Sequence, residues 1–236
     1  MGAVVVVPTY CEKQAIARVI DRILNADPEV HVLVVDDNSP DGTGQIVDAI
    51  AATTPRVNIL HRQEKNGLGS AYIAGFRWAL DRGYDHIIEM DADGSHQPEQ
   101  LPELMQLLSN GADLAIGTRW MPGGKTVNWP RYRRFISRAG TSYARLLLSS
   151  KLRDITSGYR GFRADTLRSI DLANLDSEGY CFQIELAWLV ERSGGVVKEF
   201  PITFIERVDG SSKMTGRIIF EALSKVTSWG LASRSG

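Results

Sequence analysis

Four times in this chain a short, mainly apolar run ends abruptly in a polar or acidic cluster, and that rhythm limits the fold more than any other feature. Residues 3–7 (AVVVV) lead into Pro8-Thr9-Tyr10-Cys11-Glu12, and residues 31–35 (HVLVV) into Asp36-Asp37-Asn38-Ser39-Pro40-Asp41-Gly42. Residues 86–90 (HIIEM) lead into Asp91-Ala92-Asp93-Gly94-Ser95-His96, and residues 114–117 into Thr118-Arg119. A further run occupies 56–60. Apolar, β-branched runs of this length predict strands buried on both faces of a parallel sheet. The segments between them carry helical stripes: Ile16, Ile20, Ile23 and Leu24; Ile46, Val47 and Ile50; and Leu101, Leu104, Leu107 and Leu108, led in by Pro98. Strand and helix in alternation predict an α/β, doubly wound sheet. Ligands of such sheets sit beyond the carboxyl ends of the strands. The polar clusters are therefore expected to converge on one cleft with several carboxylates and one arginine.

The second half is less regular. It predicts a basic amphipathic helix over 131–148, a helix over 180–191, a strand over 196–205 interrupted by Pro201, a Gly/Ser loop over 207–215 and a helix over 217–229. Nothing in it repeats or reads as a linker, so one domain is expected over 1–236. With 43% hydrophobic and 23% charged residues the composition excludes disordered, collagen-like and coiled-coil classes. Cys11 and Cys181 give neither a disulfide framework nor metal-ligand spacing and read as small buried hydrophobes. No signal-peptide pattern and no apolar stretch of bilayer length is present, which predicts a cytoplasmic chain.

The net charge of −1 conceals a strong asymmetry. Arg119, Lys125, Arg131, Arg133, Arg134, Arg138, Arg145, Lys151 and Arg153 follow one another with no Asp or Glu between them. Such a segment implies an anionic partner (phosphate, nucleic acid or a membrane surface), the alternative being a solvated helix face.

Asp91-Ala92-Asp93 offers two oxygen ligands past a strand end with no His or Cys beside them. That set suits a hard cation such as Mg2+ or Mn2+, which takes one or two carboxylates plus substrate phosphates; Asp and Gly also simply favour turns. Glu12 is open to two readings, as a ligand or as half of a Thr9-x-x-Glu12 capping box. Asn66-Gly67-Leu68-Gly69 lacks the spacing of a phosphate loop and reads as a tight helix start. His96 reads as a polar residue leading into Gln97-Pro98 rather than as a general base.

In order along the chain stand V-V-P-T-Y-x-E, V-D-D-N-S-P-D-G-T, K-N-G-L-G-x-A-Y-x-A-G, M-D-A-D-G-S-H, G-T-R-W, N-W-P-x-x-R-x-x-x-S, D-x-T-S-G-Y-R-x-F, G-Y-C-F-Q-I-E and G-x-S-K-M. Together they resemble the polyprenyl (dolichyl) phosphate mannosyltransferases, inverting members of glycosyltransferase family 2 with the GT-A fold, and among them the actinobacterial polyprenol monophosphomannose synthases. The resemblance covers nearly the whole chain. Its early blocks are shared widely in family 2; N-W-P-x-x-R and the R-V-x-G-x-S-K-M loop belong more narrowly to the lipid-phosphate branch.

The resemblance implies a Rossmann-like, mostly parallel sheet, with a nucleotide-sugar half over 1–118 and an acceptor half over 119–236. It implies that Pro8, Tyr10, Glu12, Val35 and Asp37 hold the guanine and ribose of GDP-mannose, and that Asp91, Ala92, Asp93 and Arg119 meet its diphosphate. Asp93 and Asp91 would bind Mg2+ or Mn2+, with Ser95 where some relatives have a Gln ligand and water or His96 as substitutes. Arg207 and Lys213 would close over the phosphates, and Arg119, Arg133 and Ser137 would grip the phosphate of a polyprenyl monophosphate. Asp91, Asp93 and Arg119 are the implied catalytic residues. A phosphate monoester is largely dianionic at neutral pH, its second pKa being about 6, so no general base is expected. The implied setting is peripheral, on the inner face of the cell membrane, through the basic helix and Trp129, Tyr132, Phe135, Ile136, Tyr143 and Leu146 to Leu148, alone or with a membrane-embedded protein partner; no nucleic acid is expected. UDP-glucose as donor, or a non-catalytic nucleotide-sugar-binding module, are the competing functions.

Overall fold

In the computed structural model, which describes residues 2–175, 179–206 and 216–233, the first half runs β1 (Ala3–Thr9), α1 (Ile16–Ala26), β2 (His31–Asp36), α2 (Thr43–Ala51), β3 (Val57–His61), α3 (Leu68–Asp81), β4 (His86–Glu89), a 3₁₀ turn at Pro98–Gln100, α4 (Leu101–Ser109) and β5 (Leu114–Thr118). The second adds β6 (Lys125–Val127), α5 (Arg131–Leu148), β7 (Arg160–Arg163), α6 (Ala164–Ser169), α7 (Gly179–Arg192), β8 (Val197–Pro201), β9 (Thr203–Ile205) and α8 (Gly216–Ala232). A seven-stranded sheet has the order β3-β2-β1-β4-β7-β5-β8, and β6 pairs with β9 in a small parallel ribbon.

Alternate side chains of the apolar runs explain the two layers. Val5 and Val7 of β1 point with Val32, Val34 and Ile88 into a core under α1, α2 and α4. Val4 and Val6 point with Leu33, Val35 and Ile87 into a second core under α3, α6, α7 and α8. Each strand is thus buried on both faces, as its lack of polar alternation demands. In α3, Gly75 sits against Val6, where an added Cβ would collide with the valine side chain. Gly67 starts that helix at φ 85°, a backbone angle that suits glycine, so the Asn66-Gly67 segment is the tight helix start expected.

All pairings in the sheet are parallel except those of β7, which runs antiparallel between β4 and β5. The sequence reading missed β7 because Arg160-Gly161-Phe162-Arg163 does not look like a buried strand; yet Arg160 is fully buried, and Gly161 admits Leu104 and Leu108 of α4. The strand expected over 196–205 is two strands in two sheets, with Ile202 between them. The chain leaves β1 towards β2 and β3 and then returns to β4 on the other side, which puts the topological switch point between β1 and β4.

Candidate active site

At the switch point, hydroxyls and backbone N–H groups hold the carboxylates in place. Thr9 ends β1 and donates its hydroxyl to Asp36 Oδ1 (2.9 Å); Ser39 adds its N–H (3.0 Å) and its hydroxyl (2.6 Å) to the same carboxylate. Asp36 is therefore an internal brace. Its neighbour Asp37 faces the other way and meets Arg62 Nη1 at 2.8 Å; burial raises the Asp37 carboxyl against that guanidinium's pull. The loop after β1 is laced to the loop after β2: Cys11 N–H donates to Ser39 Oγ (3.0 Å) and Glu12 N–H to Thr43 Oγ1 (3.0 Å). Lys65 Nζ lies 3.9 Å from the centre of the Tyr10 ring.

These contacts correct two expectations. The Thr9–Glu12 capping box does not form, because Thr9 is committed to Asp36 and α1 starts later, after Ala15 with no side-chain cap. Cys11 is exposed with φ 60° rather than buried; Cys181 is buried. Pro8 and Tyr10 are partly buried at the end of β1. Val35 sends its side chain into the core beneath α3, so only its backbone faces the strand ends.

The loop after β4 turns at Gly94 (φ 75°), and Asp93 Oδ1 accepts both the N–H (3.0 Å) and the hydroxyl of Ser95. Ser95 thereby orients Asp93. Ala92 is buried between the two aspartates. Asp91 N–H donates to Nδ1 of His96 (3.2 Å), whose ring is buried, stacked on Tyr159 and edge-on to Phe204. Burial pulls His96 down to about 4, so it is neutral at physiological pH, with its Nε2 proton directed to the Asp91 side, 3.9 Å from Oδ2. His96 is thus a brace for Asp91, not the helix-leading polar residue expected. Beneath the loop, burial raises Glu89 to about 8 against the pull of Arg160, and lowers Arg160 to about 10.

Beyond β5 the charge inverts. Arg119 is buried; its Nε and Nη2 meet the two oxygens of Asp154 at 2.7 Å each, and Nη2 reaches Thr156 Oγ1 (3.1 Å) and Ser137 Oγ (3.4 Å). Trp120, Trp129 and Phe204 surround the guanidinium at 5.4, 5.1 and 5.4 Å from its centre. Arg133 lies 5.2 Å from the Trp129 ring and pairs with Glu206. Arg119, Ser137 and Arg133 are therefore brought together around Trp129. Phe204 lies edge-on to His96, with ring centres 5.6 Å apart, and 5.4 Å from the Arg119 guanidinium, which sets this arginine site beside the aspartate loop.

Asp154, Glu206 and Phe204 were missed by the residue-by-residue reading. Asp154 had one visible signal: it is the first carboxylate after the basic segment. Arg207 and Lys213 lie outside the described residues. Asp91 and Asp93 are partly exposed and all-oxygen, which fits a hard divalent cation that also takes ligand phosphates; among the described residues no group of three His, Cys, Asp or Glu forms a closed metal cage.

Comparison with known proteins places this geometry. The chain is 55% identical over 234 residues to the undecaprenyl-phosphate mannosyltransferase of Micrococcus luteus, covering 99% of this chain and 96% of that one. It is 51% identical to the polyprenol monophosphomannose synthase of Mycolicibacterium smegmatis over 98% of this chain and 87% of that one. A solved structure of Mycobacterium tuberculosis glucosyl-3-phosphoglycerate synthase, with Mn2+, uridine diphosphate and glucosyl-3-phosphoglycerate, superposes with a TM-score of 0.69 at 20% identity, covering 98% of this chain and 79% of that one. At that identity the likeness speaks for a shared GT-A fold. Residues 4–171 match the model of glycosyl transferase family 2, and with relatives of such identity over nearly the full length, the chain belongs to glycosyltransferase family 2.

Proposed function

We propose that this protein is an inverting mannosyltransferase that moves mannose from GDP-mannose to a polyprenyl monophosphate. The observation that carries the reading is the adjacency of opposite charges: an aspartate loop at the end of β4 beside an aromatic-lined arginine site on β5 and α5, with Phe204 touching both. A nucleoside diphosphate suits the first and a phosphate acceptor the second, and the names of the two long relatives support mannose and a polyprenyl carrier.

In this reading Pro8, Tyr10, Glu12, Asp37 and the Val35 backbone hold the guanosine, and Asp91, Ala92 and Asp93 flank the diphosphate. Asp93 and Asp91, with Ser95 fixing Asp93, would hold Mg2+ or Mn2+, which when bound supplies charge stabilisation to the departing diphosphate. Arg207 and Lys213 add positive charge to the same leaving group. Arg119, through the Nη1 edge that Asp154 leaves open, and Arg133 with Ser137 grip the acceptor phosphate in pairs of hydrogen bonds. One acceptor phosphate oxygen forms the new bond to the anomeric carbon while the bond from that carbon to GDP breaks, and the electron pair leaves with GDP. No proton moves, because the acceptor is already ionised. His96, neutral and engaged by Asp91 N–H, is accordingly a positioning residue.

We further place the protein on the inner face of the cell membrane as a peripheral enzyme, alone or beside a membrane-embedded partner. No helix among the described residues is long and apolar enough to cross a membrane. Tyr132, Phe135 and Leu146 on α5 are 65%, 74% and 73% exposed, and Phe220 and Leu231 on α8 are also exposed. Such side chains suit a lipid interface.

The test is incubation with radiolabelled GDP-mannose, Mg2+ and a short polyprenyl phosphate, then organic extraction, with UDP-glucose in parallel. Label in the organic phase from GDP-mannose supports the proposal; label from UDP-glucose alone, or none, overturns it. Arg133→Ala should weaken use of the lipid phosphate about tenfold and leave GDP-mannose affinity nearly unchanged. Equal loss of both would make the helix structural.

A further inference from the structure

The helix that carries Arg133 and Ser137 has a second basic face. At about 100° per residue, Arg138, Thr141, Ser142 and Arg145 lie about a third of a turn around α5 from Arg133 and Ser137. Together with Trp120 and Arg153 they line a pocket of about 360 Å³. Around the helix on the far side of this face, away from Ser137, come the exposed Phe135, Leu146 and Tyr132. Going round α5 one meets the acceptor arginine face, then the pocket, then the apolar stripe.

The chemistry of the lining selects its ligand. Guanidinium and indole groups only donate hydrogen bonds, and the two hydroxyls can donate as well as accept, so the lining side chains offer no carboxylate and no amide oxygen. That set rejects cations and serves sugars poorly, since sugar hydroxyls need acceptors. Unlike Arg119 and Arg133, whose guanidiniums meet Asp154 and Glu206, the side chains of Arg138 and Arg145 form no ion pair among the described residues, and Arg153 is drawn to the Glu199 carboxylate without closing a salt bridge. Three like charges around one pocket repel unless an anion joins them. A second observation agrees: Thr141 is 4% exposed, and its hydroxyl and the Trp120 indole N–H have no hydrogen-bond partner among the described residues. Buried polar groups left unmade are costly, and these two wait on an acceptor.

The geometry points to a second oxyanion site, beside the acceptor site and sharing Trp120 with it, that takes a phosphate ester. The ligand is the phosphodiester headgroup of a membrane lipid rather than a free phosphate, because the pocket borders the exposed apolar stripe and lies where a lipid headgroup meets a helix whose Phe135 and Leu146 enter the interface. Assigning the source to a lipid rests on the peripheral-membrane reading given above; the oxyanion chemistry of the pocket does not. In this arrangement α5 docks on lipid phosphates with one face and presents the acceptor phosphate to the donor with the next.

Two probes test this on the full chain. First, inorganic phosphate and glycerol 3-phosphate are titrated while the Trp120 indole N–H is followed by NMR, its signal assigned by Trp120→Phe. Second, co-sedimentation is measured with vesicles of phosphatidylcholine, with and without phosphatidylglycerol. The expected result is a saturable Trp120 shift, and binding to phosphatidylglycerol vesicles that weakens about tenfold or more in Arg138→Gln/Arg145→Gln. Arg18→Gln/Arg77→Gln changes the net charge equally on α1 and α3 and should leave both nearly unchanged. Because the four arginines are exposed, folding is checked by melting curves, and Ser142→Ala serves as a milder second variant. A Trp120 shift lost in the double variant with vesicle binding unchanged overturns the lipid source and leaves a free phosphate ester as ligand. No saturable shift, a shift that persists in Arg138→Gln/Arg145→Gln and so reports the neighbouring Arg119, or equal loss in the control pair, overturns the site. The phosphate probe reads the pocket whether or not mannosyl transfer is seen, so failure of the enzymatic reading and failure of this one are distinguishable.

Discussion

The two ends of the active site are built on opposite plans. At the donor end, three carboxylates are held by uncharged groups, with a partner a few residues away in each case, Asp36 by Ser39 together with Thr9, Asp41 by Thr43 and Asp93 by Ser95, and Asp37, paired with Arg62, is the exception. At the acceptor end, arginines are held by carboxylates far along the chain, Arg119 by Asp154 and Arg133 by Glu206, at separations of 35 and 73 residues. A neutral partner leaves the carboxylate its charge for a cation or a sugar nucleotide. An ionic partner fixes an arginine while cancelling part of its charge, so the acceptor end balances grip against rigidity. The difference also sets where each end is vulnerable.

Cutting a long-range ionic partner should do the most damage. Asp154 is fully buried and Arg119 nearly so. Asp154→Ala leaves a guanidinium buried beside Trp129 and Phe204 without its counter-charge, and should cost about 3–5 kcal/mol of stability. Denaturant titration checks it; a loss below about 1 kcal/mol would mean that Arg119 readily swings to water, against the buried pairing described. The matching cut at the donor end should act on rate instead. Asp93→Asn keeps the shape and the hydrogen bonds from Ser95 but removes a charge from the loop, and should lower kcat about 10²–10³-fold while hardly moving the unfolding midpoint. Activity that persists in this variant, or that is undiminished in EDTA, would break the metal assignment.

Those two plans also account for what the sequence made legible. The donor end rests on strands with uniform apolar runs, and several of its loop partners, Ser39 to Asp36, Thr43 to Asp41 and Ser95 to Asp93, are two or three residues apart, so short motifs such as Asp91-Ala92-Asp93 carried most of it. The helix of 131–148 was equally plain, and α5 has those bounds. Hidden from sequence were features decided by distant packing. The strand β7 was one, its buried Arg160 donating to the carbonyls of Ser157, Ile155 and Gln183. His96 was another, a polar-looking residue made internal by Tyr159 and Phe204. No local pattern announces that residue 154 will neutralise residue 119. Both residues stand in family blocks, G-T-R-W and D-x-T-S-G-Y-R-x-F, yet nothing in those blocks pairs them.

Packing differs between the halves in the same direction, and one substitution made twice exposes it. Gly75 in α3 lies against Val6 of the central strand, whereas an added Cβ at Gly140 in α5 meets nothing within 4 Å. Alanine gains roughly 1 kcal/mol over glycine within a helix, but overpacking a core costs about 1–3 kcal/mol. Gly75→Ala should therefore destabilise the protein by up to about 2 kcal/mol, and Gly140→Ala should stabilise it by up to about 1 kcal/mol. Melting curves of both variants decide the point; the same sign at both positions would erase the contrast between a filled donor half and an open acceptor helix.

The smallest effect comes from the support of Asp154 itself. Glu199 on β8 accepts the N–H groups of Arg153 (2.8 Å) and Asp154 (3.3 Å), and so holds the chain that delivers Asp154 to Arg119. Burial raises its carboxyl above the ordinary 4.5, against the lowering by those two N–H groups. A carboxyl that is raised in the folded state binds protons more tightly there than in the unfolded chain. Its contribution to stability is therefore complete below about pH 4.5 and is lost as pH climbs through the folded value. Glu199→Gln keeps an oxygen for both N–H groups and cannot ionise, so it should be more stable than the wild type at neutral pH, by under about 1 kcal/mol because the group is partly solvated. That advantage should vanish towards pH 4. Unfolding free energies measured from pH 4 to pH 8 give the test: a Glu199→Gln variant that is less stable than the wild type at neutral pH, by a gap that closes towards pH 4, would mean that the charged carboxylate, through Arg153, is the form the fold prefers, and that the acceptor end is held by ionic contacts down to its backbone.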